Sequence, residues 1–213
     1  SDIMFICLPT PMNEDGSCHL GIVEKTLWLI NSSSEESISR KTVIIKSTMP
    51  PGTTKRLQLL NKNIDIVCNP EFLREASFIE DFKKQKFIIL GGDKMVCENI
   101  SKLYKIIFND IKIIITSSDS SEMVKNLINS FLATKVSFAN EMKLICDQLG
   151  IKYSDMIKIA KNDQRIGSSH WDVPGNDGKL GFGGSCFPKD IQSLVNVAPV
   201  SYTHLRAHET LLY

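Results

Sequence analysis

The sequence predicts an α/β protein whose first half forms a parallel sheet and whose second half is all helical. Three observations carry this. Short apolar, β-branched or aromatic runs recur through residues 1–117, helical patterns alternate with them, and after Thr116 one long helical pattern replaces the alternation. Strands that alternate with helices imply parallel pairing through right-handed crossovers.

In chain order, Ile3–Leu8 (IMFICL) reads as the first strand, short and apolar, and Gly21–Ser32 as the first helix. Thr42–Lys46 and Ile64–Cys68 are the next strands, separated by a helix over Thr53–Asn61. Phe87–Leu90 and Ile113–Ile115 complete the sheet, with a helix over Met95–Phe108 between them. Runs this short, with few polar interruptions, suit strands buried on both faces. Asp119–Leu149 reads as a long helix opened by a capping-box-like Asp119-x-x-Glu122. A helix at Ser154–Ala160 follows, then a Gly/Pro-rich stretch from Gly167 to Gly184 and a helix at Lys189–Val197. The expected organisation is one domain over 1–117, a helical one over 118–199, and a tail from 200 to 213. That tail (SYTHLRAHETLLY, from Ser201) bears no relation to what precedes it and reads as non-native, so His204 and His208 carry no functional weight.

Composition narrows the function classes. The chain has 213 residues, 42% hydrophobic and 23% charged, with a net charge of +1 and no block of like charge, so neither nucleic acid nor a membrane surface is an expected partner. No apolar run is long enough to cross a bilayer, and no leader signals secretion. Six scattered cysteines, with no C-x-x-C pair, argue against a metal site and for thiols in a reducing, cytoplasmic compartment. Cys7, Cys68 and Cys146 each sit in an apolar run and read as core.

Parallel sheets bind ligands beyond the carboxyl ends of their strands, and three of those ends carry unusual polar chemistry. The strands run into Pro9-Thr10-Pro11, into Ser47-Thr48-Met49-Pro50-Pro51-Gly52-Thr53, and into Asn69-Pro70-Glu71-Phe72-Leu73-Arg74-Glu75. Each proline fixes the chain as it leaves the sheet and holds a nearby hydroxyl or carboxylate in place. One such turn is only a turn; three at one edge favour a binding site.

On the long helix, Lys125 and Asn129 share one face with apolar Leu132 and Val136, while Asn126, Ser130, Thr134 and Ser137 line the opposite side. An ammonium on a buried apolar line needs a partner or a task; the bland reading is a lysine that snorkels to water. In Gly181-Phe182-Gly183-Gly184-Ser185-Cys186-Phe187-Pro188-Lys189-Asp190 the glycines lack the spacing of either common phosphate loop. Cys186 instead stands just before a helix, where amide dipoles and Lys189 favour a thiolate, and the glycines let a substrate approach the backbone. A Cys/His hydrolase is the alternative, but neither His19 nor His170 has a clear orienting partner.

Six segments together resemble the UDP-glucose/GDP-mannose dehydrogenase family: FICLPTP (5–11), STMPPGTT (47–54), NPEFLREAS (69–77), SEMVKNLINSFLATKVSFANE (121–141), DQRIG (163–167) and GFGGSCFPKD (181–190). The resemblance covers roughly residues 1–199, and Arg165 with the GFGGSCFPKD form favours the UDP-glucose branch. It implies part of a Rossmann-like NAD-binding domain, then a central helical domain through whose long helix subunits pair as homodimers or larger. It implies oxidation of UDP-glucose to UDP-glucuronate with two NAD. In this picture Cys186 is the nucleophile, Lys125 and Asn129 hold the oxyanion, Asp190 works with the lysine and a water, and Glu71 is the acid/base. Thr48 bonds cofactor or water, and Thr10, Pro11, Ser47, Glu75 and Lys189 join it at the cofactor. Phe72, Leu73, Gly181, Phe182 and Gly183 border the sugar nucleotide, which Arg165 reaches from a neighbouring subunit. No G-x-G-x-x-G occurs in the first half, so the family's first βα unit is expected upstream of Ser1 and its UDP-closing domain after residue 199.

Overall fold

The computed structural model describes residues 2–35, 40–74, 77–175, 178–184 and 186–197. Glu75 and the segment from 198 to 213 lie outside them. The chain divides into two compact units, the first ending at Asn126 and the second beginning at Leu127.

The first unit holds a five-stranded sheet in sequential order: β1 (Ile3–Ile6), β2 (Lys41–Ile45), β3 (Ile64–Cys68), β4 (Phe87–Gly91) and β5 (Lys112–Thr116). Between them run α1 (Gly21–Ser32), α2 (Thr53–Leu60), α3 (Phe78–Lys83) and α4 (Lys94–Ile107). Alternating side chains feed two cores. On one face Ile6, Val43, Ile45 and Ile66 pack with Val23 and Leu27 of α1 and Leu57 of α2. On the other, Ile44, Val67, Ile88 and Leu90 pack with Cys97, Ile100 and Tyr104 of α4.

Two expectations change here. β1–β3 are mutually parallel, as are β4 and β5, but β3 meets β4 antiparallel, through Cys68 opposite Gly91. An apolar run reports burial on both faces and carries no sign of direction, so sequence alone reads every strand alike. The connection before β4 contains α3, a six-residue helix with no buried residue and too short for its period to stand out in the sequence. Cys68 and Cys146 are buried, but Cys7 is exposed: the strand ends at Ile6, and Cys7 already belongs to the turn that leaves the sheet.

Helix α5 (Ser118–Gln148) leads from the first unit into the second. Its start is capped by Ser117, whose Oγ accepts from the Ser120 N–H at 3.1 Å, and not by the expected Asp119–Glu122 box. Glu122 is turned away and fully engaged elsewhere. The faces of α5 also differ from expectation: polar Asn126, Ser130 and Ser137 are buried, Leu132 and Val136 are only partly so, and Leu127, Phe131 and Phe138 are exposed. The second unit adds α6 (Tyr153–Ala160), a 3-10 turn at Gln164–Ile166 and α7 (Phe187–Val197). It packs Ala139 and Cys146 against Tyr153, Ile157 and Trp171, and Ala133 against Ile191 and Val195. No helix among the described residues is long and apolar enough to cross a membrane.

Candidate active site

Register sets the first half of the site. Ile6 pairs with Ile45 and Ile45 with Cys68, so the three polar turns leave one sheet edge side by side. They are sewn together by their own side chains. Ser47 Oγ accepts from the Leu8 N–H and donates to the Leu8 carbonyl, at 2.9 and 2.7 Å. Thr10 Oγ1 donates to the Thr48 carbonyl at 2.8 Å. The hydroxyls of Thr10 and Ser47 are thus committed to holding the edge, while Thr48 is half-buried with Pro11 exposed nearby in sequence.

Lys125 stands over the third turn. Its side chain is only 8% exposed, so the ammonium does not reach water by snorkelling. Nζ donates to the Glu71 carbonyl at 2.6 Å, lies 3.5 Å from Glu71 Oε1, and sits 5.3 Å from the centre of the Phe72 ring. Glu71 Oε2 in turn accepts from the Leu73 N–H at 2.5 Å, and Phe72 packs on Phe87. A buried cation, a carboxylate and an aromatic face are therefore held together by one turn: a charged donor beside an acid that can take or give a proton.

Sequence reasoning missed Lys46, Asn69 and Tyr104. Lys46 Nζ donates to Asn69 Oδ1 at 3.1 Å, Tyr104 donates its hydroxyl to the same oxygen, and Asn69 Nδ2 donates to the Ile89 carbonyl. Burial pushes the Lys46 ammonium below the ordinary lysine range, with nearby Glu71 working against that shift. The available signal was a lysine directly continuing a buried strand, in the cross-strand row formed with Asn69.

In the second unit, Asp190 is 1% exposed within the first turn of α7. One oxygen accepts from Asn129 Nδ2 and the other from Lys189 Nζ, each at 2.5 Å. This carboxylate is thus paired on both oxygens inside a helix's first turn, where the amide dipoles favour negative charge. Cys186 is exposed at the start of the same helix, and its carbonyl accepts from the Asp190 N–H. All six cysteines are free of disulfides. His170 packs its ring on Phe187, beside Cys186 in sequence.

The glycine loop is split in its roles. Gly181, buried at φ +85°, donates its N–H to Asn140 Oδ1 at 3.1 Å, and Phe182 packs on the Ala133–Ile191–Val195 cluster. Gly183 and Gly184 remain exposed. Arg165 is exposed, paired with Asp163, which the guanidinium holds below the ordinary carboxylate range. The turn carrying it is gripped by Lys135, which donates to the Ile166 carbonyl at 2.8 Å and stacks over Trp171. A cleft of about 320 Å³ opens there, between Phe131, Phe138 and Arg165.

A dinucleotide needs a cradle for its phosphates, usually backbone N–H groups at a glycine turn and helix start. The described residues fit such a cofactor in part. The start of α2 is filled by the Glu122 carboxylate, and the sequential strand order contains no reversal at which a crevice opens. The sheet-edge turns can border a cofactor, but no phosphate cradle is present among the described residues.

Two family models match the chain: the UDP-glucose/GDP-mannose dehydrogenase family NAD binding domain over residues 1–112, and the central domain of the same family over residues 119–212. A UDP-glucose 6-dehydrogenase from Rickettsia felis is 37% identical over 203 residues, covering 92% of this chain and 44% of the relative. Among solved structures, a UDP-glucose dehydrogenase from Pyrobaculum islandicum aligns with a TM-score of 0.86 and 32% identity, over 98% of this chain and 49% of that one. A GDP-mannose dehydrogenase from Pseudomonas aeruginosa aligns with a TM-score of 0.70 and 27% identity, over 100% and 51%. The chain thus spans about half the length of the relatives it matches.

Proposed function

The chain belongs to the UDP-glucose/GDP-mannose dehydrogenase family, and from that premise we propose that it contributes to an NAD-dependent oxidation of UDP-glucose to UDP-glucuronate. Residues 1–117 act as the cofactor-side domain and 118–199 as the central, pairing domain. The observation that supports this best is the state of two charged clusters at motif positions: Lys125 buried against Glu71, and Asp190 buried between Asn129 and Lys189.

In this reading Cys186 adds its sulfur to the sugar aldehyde, giving a thiohemiacetal. Loss of a hydride (two electrons and a proton) from that carbon, together with loss of the hydroxyl proton, leaves a thioester, and water then cleaves the C–S bond to return the thiol and the carboxylate. NAD supplies the electron sink, one molecule for each of the two oxidations. Lys125 and Asn129 donate to the oxygen that gains charge, which is where fixed donors contribute most. Asp190 orients Asn129 and Lys189 and works with the hydrolytic water. Glu71 moves the proton of thioester hydrolysis, and Thr48 bonds cofactor or water. Thr10, Pro11, Ser47, Glu75 and Lys189 border the cofactor; Phe72, Leu73, Gly181, Phe182, Gly183 and Arg165 border the nucleotide sugar.

The exposed Leu127, Phe131, Phe138 and Ile145 follow one another along α5 at helical or heptad spacing. Such a stripe suits a second copy of the same helix, and we assign it to homodimer formation. The six thiols fit a reducing compartment.

The test uses a protein of the relatives' length that contains this chain. UDP-glucose, with GDP-mannose beside it, is supplied with NAD, and product and NADH are counted together. Two NADH per UDP-glucuronate, with product lost in Cys186→Ser, is the expected result. Unchanged two-NAD turnover in that variant removes Cys186 from the mechanism; preference for GDP-mannose moves the chain to the other branch.

A further inference from the structure

Helix α2 has a start that its own residues cannot complete. Its N-cap is Gly52, held at φ +91° in the left-handed region, with no side chain to accept from the first amides. A helix start leaves four N–H groups in need of acceptors. Glu122, one of the largest fully buried side chains, reaches in from α5 to supply them. Its Oε2 accepts from the Gly52 N–H at 2.7 Å; its Oε1 accepts from the Thr54 N–H at 2.7 Å and the Thr54 hydroxyl at 2.6 Å.

One turn along α5, Asn126 Nδ2 donates to the Met49 carbonyl at 3.3 Å. Glu122 and Asn126 therefore grip the loop at both ends, at Met49 and at Gly52–Thr54. What lies between is Pro50–Pro51, whose rings fix φ. Thr48, directly before, has its carbonyl tied to Thr10. α5 cannot slide to relax this grip, because Ser121 packs against Gly91 so closely that a Cβ added there would lie 2.4 Å from the Ser121 Cβ.

We propose that Glu122 is a positioning residue: its carboxylate is the built-in anion of α2, and through it α5 fixes the Thr48–Gly52 turn, and with it Thr48, at the catalytic edge. The catalytic consequence rests on the dehydrogenase reading above; the structural one does not. A second consequence concerns cofactor binding. With its amides occupied by an internal carboxylate, the start of α2 is closed to any phosphate, so the β2–α2 turn serves the reacting end of a cofactor rather than its phosphates.

The two consequences are separated by using two measurements. Amide hydrogen exchange on this chain compares wild type with Glu122→Gln, which keeps the shape but sets an NH2 group against an N–H donor. Exchange at Gly52 and Thr54 is expected to quicken at least tenfold, with the amides of β2 and β3 unchanged. Equal protection at Gly52 and Thr54 overturns the proposal, and so does loss spread evenly over the sheet, which marks a residue needed only for folding. If Glu122→Gln does not fold, Thr54→Val carries the test by deleting one of the three donors, with a smaller change expected at the same amides. In the longer protein, the same variants are expected to lower kcat by about tenfold to a hundredfold, the scale of an ångström-sized misplacement, while KM for the nucleotide sugar holds. A proportional fall in folded enzyme with kcat per folded site intact overturns the positioning role. If the wild-type protein oxidises no nucleotide sugar, the enzymatic reading falls, and the exchange data still decide whether Glu122 holds the turn.

Discussion

Replacing Lys125 with methionine keeps the apolar stem and deletes the ammonium, so the loss reports what that charge does for the first unit. Three contacts go: the 2.6 Å bond to the Glu71 carbonyl, the 3.5 Å approach to its carboxylate, and the position over Phe72. A hydrogen bond from a charged donor contributes about 1.5–3 kcal/mol. The cation–π contact adds about 0.5–1 kcal/mol. The Glu71 side chain is 32% exposed, so its ion pair is screened and counts no more than a surface pair, about 0–1 kcal/mol. Methionine is also spared the desolvation that the buried ammonium carries, which offsets much of this sum, and a net destabilisation of about 1–2 kcal/mol is expected. With a urea slope of about 1–3 kcal/mol per molar, the midpoint should fall by roughly 0.3–2 M. Urea titration of this chain followed by far-UV circular dichroism measures it. A midpoint equal to or above wild type refutes the reasoning: the lysine would then be stored at a cost to stability, and its partners would not compensate for its burial.

Two further predictions follow from packing. Gly91→Ala places a methyl 2.4 Å from the Ser121 Cβ and 2.9 Å from the Ser117 carbonyl; because backbone cannot yield there, a loss of about 1–3 kcal/mol is expected. Thermal melts should show a fall of about 2–12 °C, and an unchanged melt would mean α5 can shift away. Phe131→Glu places a charge in the exposed stripe of α5, at a residue 64% exposed and therefore of little consequence to the monomer's core. Sedimentation velocity should show dimer replaced by monomer at unchanged helix content; a dimer that persists places the pairing surface elsewhere.

How much of this was legible in the sequence depends on what kind of signal each feature leaves. Ile64–Cys68 and Gly21–Ser32 have the bounds their residues suggest, since an apolar run and a helical period are local properties. The edge turns were also legible, because prolines and hydroxyls after a strand mark where the chain turns and what it carries. The direction of β4 was not, since direction lies in the connection. Nor was α3, whose six residues are too few for the spacing of Phe78, Ile79 and Phe82 to mark a helix. Glu122 shows the same limit most clearly. Its spacing from Asp119 suggests a local cap, yet its partners, Gly52 and Thr54, are about seventy residues away in sequence and only the tertiary structure brings them to it.

The border position of β1 has a practical meaning for anyone handling this polypeptide. The strand's outer N–H and C=O groups have no neighbouring strand among the described residues, and Phe5 stands 48% exposed in its middle. A border strand with an exposed aromatic ring in its middle is a template for another chain to add to, edge against edge. Only four residues long, and followed closely by Pro9 and Pro11, it offers a short template that cannot grow. When the polypeptide is prepared in isolation, clumping is expected to begin at this edge and to rise with concentration, and a lysine in place of Phe5 is the change that would blunt it.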